Sequence, residues 1–212
     1  MSKLEMDKPG IKKPIGSKLF VLSGPSGVGK GTLREHALSG LGMIYSISCT
    51  TRSPREGERE GTDYRFISKE DFNDRIERGM FLEYALVHGN YYGTQSEDVR
   101  AEMRLGRDVL LEVDVQGARQ VRRVMPSPES VLIFVAPPSI ETLEVRLRRR
   151  GTEPEDKIQL RLNNARAEME AIPEFDHVII NDNLEQASSV LRDIVLENRR
   201  KHEMTSSEKV KI

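Results

Sequence analysis

Apolar residues in this chain fall into short unbroken runs, separated by stretches whose apolar positions recur at helical spacing. Lys18 to Ser23 (KLFVLS), Asp108 to Asp114 (DVLLEVD), Ser130 to Ala136 (SVLIFVA) and His177 to Asn181 (HVIIN) are nearly continuous in apolar character. Such runs mark strands buried on both faces. Between them, Lys30 to Leu38, Gln116 to Val124, Ile140 to Arg150 and Glu155 to Ala171 read as helices. Strands alternating with helices predict an α/β fold with a parallel sheet flanked by helices. In such sheets ligands collect at the carboxyl ends of the strands.

From Ile44 to Thr94 the pattern changes to short alternating segments, such as Asp63 to Ser68 (DYRFIS) and FLEYALVHGNYYGT, around one helix. That helix begins at Ser68, with Asp71 three residues on as a capping signal. This stretch predicts an inserted subdomain of mixed, mostly β structure. Met1 to Ser17 mixes Lys, Pro and Gly without periodicity and reads as a disordered tail.

Composition narrows the function. The 33 basic and 34 acidic side chains leave a net charge of −1, so no overall field draws the chain to nucleic acid and any anion site must be local. The single cysteine, Cys49, excludes an intrachain disulfide and suits a reducing compartment. No apolar run reaches the roughly 18 residues of a membrane span, and no signal-peptide stretch stands at the N-terminus. The expectation is a cytoplasmic protein with no membrane or nucleic-acid partner; homo-oligomerisation is left open.

The candidate chemistry begins at Gly24, Pro25, Ser26, Gly27, Val28, Gly29, Lys30, Gly31 and Thr32. This stretch follows the phosphate-loop pattern G-x-x-x-x-G-K-[ST] except that Gly31 stands where the hydroxyl belongs. Backbone N–H groups of such a turn and the positive end of the following helix form an anion cradle, and Lys30 adds a charge. Thr32 lies one position beyond the missing hydroxyl. Glu112 and Asp114, two apart at the end of an apolar strand, share one face and can orient the waters of a Mg²⁺ ion. Asp114 is equally placed to cap the following helix. Arg52 and Arg55 in TTRSPRE set two guanidinium forks in an irregular loop, a pattern suited to phosphate. Read alone, NYYG also fits a hairpin with two packing tyrosines, and the arginines of RLRRRG also suit a helix C-terminus.

With the loop, the motifs SISCTTRSPREGE, DYRF, FLEYA, GNYYGT, LEVDVQGARQV, FVAPPS and RLRRRGTE occur in one order, and over about Lys18 to Arg199 the chain resembles guanylate kinases. The resemblance implies transfer of the γ-phosphoryl group of ATP to GMP, with dGMP as a second acceptor and Mg²⁺ as cofactor. It implies a P-loop-type domain at 18–205, with a core of 18–45, 95–145 and 165–205. A GMP-binding insertion would occupy 46–94 and a helical lid about 146–164, with a flexible end at 206–212. It puts Arg52, Arg55, Tyr64 and Tyr92 on the GMP phosphate, and Ser48, Glu83, Thr94 and Asp114 around guanine. Arg146, Arg150 and Arg161 become lid cations, catalytic together with Lys30 and Arg52, and Asn181 an adenine-side residue. Three positions depart from the family's pattern: Gly31, Glu112 where many relatives carry Asp, and Asn183 in place of a second acid after Asp182.

Guanine's N1–H and amino group are donors, so carboxylates at Glu83 and Asp114 suit its edge, and Ser48 or Thr94 suits O6. Adenine would face buried acceptors with an acceptor, a mismatch worth about 10⁴ in discrimination. Two other readings are a guanylate-kinase-like protein-binding module without turnover and a kinase of another phosphorylated acceptor such as ribose bisphosphate. The retained Lys30, Arg52, Arg55 and Asp114 oppose the first, and the base-reading set opposes the second.

Overall fold

The computed structural model describes residues 17–87, 89–149 and 154–208. Arg150 and most of the sequence-predicted N-terminal tail lie outside them, as do the last residues of the C-terminal end. The chain opens with strand β1 (Leu19–Ser23), a glycine-rich turn and helix α1 (Lys30–Leu38). Strand β2 (Ile44–Tyr45) leads into β3 (Cys49–Thr50), β4 (Arg65–Phe66), α2 (Lys69–Glu77), β5 (Phe81–Val87) and β6 (Asn90–Gln95). Then come α3 (Ser96–Arg104), β7 (Val109–Glu112), α4 (Val115–Val124), β8 (Ser130–Ala136), α5 (Ile140–Arg149) and α6 (Glu155–Met169). A short 3₁₀ turn (Ile172–Glu174), β9 (His177–Ile180) and α7 (Leu184–Glu208) complete the chain. Helix α7 thus runs three residues into the stretch expected to be flexible.

Five strands form a parallel sheet in the order β2-β7-β1-β8-β9. Its central strand shows why the sequence run is unbroken. Phe20 and Leu22 point into a cluster with Val28, Leu33, Leu191 and Val195 under α1 and α7. Leu19 and Val21 point the opposite way, into a cluster with Val99, Ala118 and Val121 under α3 and α4. With side chains alternating across the sheet, covering both faces demands apolar residues at every position, each buried large one contributing about 1.5–3 kcal/mol.

The insertion is a second, mixed sheet in the order β4-β3-β6-β5. Helix α2 starts as its sequence indicates: Ser68 is the N-cap and its Oγ accepts from Asp71 N at 3.0 Å. Phe72 of that helix stacks on Phe81 and packs with Cys49, giving the insertion its own small core. The thiol of Cys49 is buried there, and burial raises its pKa, so it packs. Leu82 of β5 enters the cluster beneath α4 and anchors the insertion to the main domain. The segment expected as a lid, about 146–164, takes in the end of α5 and most of α6, two helices that share a core of Leu143, Leu147, Ile158, Leu162 and Ala165.

Candidate active site

The turn between β1 and α1 is shaped by three glycines in the left-handed region, Gly24, Gly27 and Gly29. A Cβ at Gly24 would stand 2.1 Å from Val135 O, an impossible contact with backbone. Gly31 is different. Its Cβ would meet only Glu112 Oε2, at 3.9 Å, so space does not require glycine there. Lys30 Nζ donates to Gly24 O at 2.7 Å and to Pro25 O at 3.3 Å. Burial lowers its pKa, while Glu112, Glu168 and Asp114 act in the other direction, which places three acids within its field.

Behind the loop, Asn181 is buried and its Nδ2 donates to Val28 O at 2.8 Å. Asn181, Gly27, Gly29, Thr32, Arg146 and Arg149 line a cavity of about 420 Å³. The resemblance selected Arg146 and Arg150 from the basic run; Arg150 lies outside the described residues, and among those described Arg146 and Arg149 line this cavity. Arg161 of α6 reaches the loop and donates to Ser26 Oγ. Asn183, the departure after Asp182, accepts from Gln186 N at 3.1 Å and caps α7, a role in which asparagine excels.

A second cavity, of about 220 Å³, lies between the sheets and is lined by Ser48, Tyr64, Glu83, Tyr92, Glu112 and Asp114. Glu83 is only 6% exposed. Its Oε1 accepts from Thr94 Oγ1 at 2.6 Å, and Ser48 Oγ lies 3.5 Å from that same hydroxyl. Burial raises the Glu83 carboxyl to about 7; the Thr94 hydroxyl opposes the shift and the Asp114 charge adds to it. Asp114 takes the helix-capping role read from the sequence. Its Oδ1 caps α4 by accepting from Gly117 N at 2.8 Å, and the residue still lines the cavity.

The arginine loop borders the same space. Arg52 donates through Nε to Tyr92 OH at 3.2 Å and through Nη2 to both oxygens of Glu58 at 2.8 and 2.9 Å. Its guanidinium lies 5.6 Å from the Tyr64 ring centre, and Tyr64 meets Tyr92 edge-on at 5.9 Å. The tyrosine pair therefore holds the arginine. Glu58 also accepts from Arg55 N at 2.8 Å, while Arg55 itself is exposed.

A family model described as guanylate kinase matches residues 16–198. The chain belongs to the guanylate kinase family. It is 46% identical over 189 residues to the guanylate kinase of Desulfotalea psychrophila, spanning 89% of this chain and 93% of the relative. To that of Parasynechococcus marenigrum it is 52% identical over 170 residues, 80% of this chain and 92% of the relative. The crystal structure of guanylate kinase from Anaplasma phagocytophilum superposes with a TM-score of 0.67 at 33% identity, covering 87% of both chains.

For a guanylate kinase, the sequence reading missed several residues. Glu58 follows Arg52 and Arg55 at the same three-residue step, a signal visible in TTRSPREGE itself. Arg34 of α1 approaches Glu112 Oε2 at 3.5 Å and covers the Tyr45 ring at 4.3 Å. Glu168 of α6 shares the field of Lys30 and Asp114, and burial raises its pKa. Only the folding of α6 against the loop reveals it.

Proposed function

We infer that this chain transfers the γ-phosphoryl group of ATP to GMP, giving ADP and GDP, and that dGMP serves as a second acceptor. The observation that carries the reading is the buried acid Glu83, hydrogen-bonded to Thr94, in one cavity with Asp114 and beside the Arg52–Tyr92 pair. Acidic acceptors match the donor edge of guanine, and the cation beside them matches its phosphate. ATP occupies the glycine-rich turn, with its base toward the cavity of Asn181, Arg146 and Arg149.

Lys30, Arg146, Arg150 and Arg161 neutralise the charge that spreads over the transferring oxygens, a contribution worth about 10³ to 10⁵ in rate for a well-aimed arginine. Arg52, Arg55, Tyr64 and Tyr92 hold the acceptor phosphate in line. No base is required, because a phosphate monoester has a second pKa near 6 and is largely dianionic at neutral pH. Catalysis is positioning and electrostatics.

Magnesium enters with ATP, and the residues present fit it. Glu112 Oε2 faces the place of the missing hydroxyl, beyond Gly31, and carboxylate oxygen is the donor type that Mg²⁺ prefers. Glu112 and Asp114 would hold the ion through water, and the ion would supply further neutralisation of phosphate charge. The reaction belongs to the cytoplasm; among the described residues no helix is long and apolar enough to cross a membrane. The test is ADP release measured with GMP, dGMP, AMP and ribose bisphosphate. Turnover with GMP and dGMP alone is expected, and equal turnover with AMP or with the sugar phosphate would refute the assignment.

A further inference from the structure

Strand β5 is an edge of the insertion's sheet, so its outward backbone groups have no partner strand among the described residues. At Tyr84 that edge is closed by a side chain from another element. Tyr84 N donates to Gln120 Oε1 at 3.1 Å, and Gln120 Nε2 donates to Tyr84 O at 3.0 Å. The carboxamide thus pairs with the strand as a peptide group of a neighbouring strand would. Because Tyr84 offers one donor and one acceptor, only one orientation of the amide satisfies both.

Helix α4 meets β5 at three successive residues. Leu82 enters the cluster of Ala118 and Val121. Glu83 Oε2 would lie 3.1 Å from a Cβ at Gly117, so the missing side chain there lets the carboxylate approach. Tyr84 is held by Gln120. Asp114, Gly117 and Gln120 are spaced three apart, which puts them along one face of the helix. The strand also shifts register against β6 between Phe81 and Glu83, an irregularity that turns side chains from their regular alternation. A strand broken just before Glu83 cannot rely on the ladder alone to aim that carboxylate.

We propose that Gln120 is a positioning residue for guanine recognition: its two hydrogen bonds to the Tyr84 backbone fix the bulged strand so that Glu83 faces the base pocket beside Asp114. This rests on Glu83 being the guanine reader. Two hydrogen bonds of modest to ordinary net strength set the scale at about five- to thirtyfold.

The test is a double-mutant cycle on steady-state kinetics. Gln120→Leu, which keeps the bulk and removes both bonds, is expected to raise the KM for GMP about five- to thirtyfold and leave the KM for ATP unchanged. In a Glu83→Gln background the same change is expected to add less than about twofold, since the residue acts through Glu83. Fully multiplicative effects, or equal rises for both substrates, would overturn the proposal. If Glu83→Gln leaves the KM for GMP unaltered, base reading itself fails; if Glu83→Gln matters and Gln120→Leu does not, only the clasp fails. Amide hydrogen exchange on the wild-type protein covers the case of a variant that does not fold. Tyr84 N–H is expected to be protected and to gain protection with GMP, and rapid exchange in both conditions would sink the clasp.

Discussion

Glu83 supplies a prediction with a definite sign. Its pKa is raised from 4.5 to about 7 because the carboxyl is buried, with the Asp114 charge adding to the effect. In the proposed base site guanine turns a donor toward it, which favours the carboxylate. On that reading, binding GMP is expected to expel the proton that Glu83 carries in the nucleotide-free protein. At pH 7 a group with that pKa is about half protonated, so each GMP should release about half a proton from this site; at pH 8 the figure falls to about a tenth. The phosphate of GMP also titrates near pH 6, and Glu83→Gln separates the two contributions, because it retains the phosphate site and loses the titrating carboxyl.

The measurement is calorimetric titration of GMP in buffers of different ionisation enthalpy, on wild type and Glu83→Gln, from pH 6 to 8.5. Wild type is expected to release more protons than the variant by about half a proton at pH 7, a difference that closes as pH rises. Identical proton counts at pH 7 would refute the reasoning. Stability gives a second readout. An acid whose pKa is raised by folding stabilises while protonated, so its contribution is present below about pH 4.5 and is lost as pH rises through about 7. The full interval is worth about 3 kcal/mol as an upper limit, and Glu83→Gln should abolish that part of the pH dependence.

Three further predictions follow from the geometry. Arg52→Ala should raise the KM for GMP about ten- to hundredfold, the worth of charge-assisted hydrogen bonds, with a far smaller effect on ATP; equal effects in steady-state assays would count against the phosphate role. Lys30→Met should lower kcat by about 10² to 10³ in single-turnover experiments, as removing one preorganised donor does, and a change confined to KM would oppose a transition-state role. Gly31→Ala should fold and gain about 0.5–1 kcal/mol from helix propensity in denaturant titrations, whereas Gly24→Ala should fail to fold or lose more than about 3 kcal/mol, because its Cβ meets Val135 O.

Much of the architecture was legible because the sheet is buried on both faces. Ser130 to Ala136 is a strand at those very bounds, and every one of its residues is buried, so nothing polar interrupts the run. The helix after the loop likewise spans Lys30 to Leu38 as its pattern indicates. Strand β2 escaped notice because it has only two residues, pairs along one edge and exposes Tyr45. Helix α3 turns only Val99 and Met103 to the core, a stripe too short to detect. In the site, local motifs exposed Lys30, Arg52, Glu112 and Asp114, since loop and strand-end chemistry is written in consecutive residues. Gln120, Glu168 and Arg149 gain their positions only when helices pack on strands distant in sequence. No local spacing could have announced them.

The cations of the site differ in what already holds them, and the difference assigns unequal work to the two substrates. Lys30 rests on the carbonyls of Gly24 and Pro25, and Arg146 on Asp182 O at 3.5 Å, all neutral acceptors. A phosphate oxygen adds charge attraction that a neutral carbonyl lacks, so ATP gains from each exchange. Arg52, in contrast, already faces a carboxylate through both oxygens of Glu58. On the proposed reading, a GMP phosphate that shares Arg52 with Glu58 gains less from that contact than ATP gains from Lys30. The deficit must be met by Arg55, the two tyrosine hydroxyls and above all by the base. On the proposed reading, that allocation gives a buried, hydrogen-bonded acid such as Glu83 a part in GMP affinity as well as in its specificity. It also explains why the strand that carries Glu83 is held from both sides, by the β6 ladder and by the side chain of Gln120.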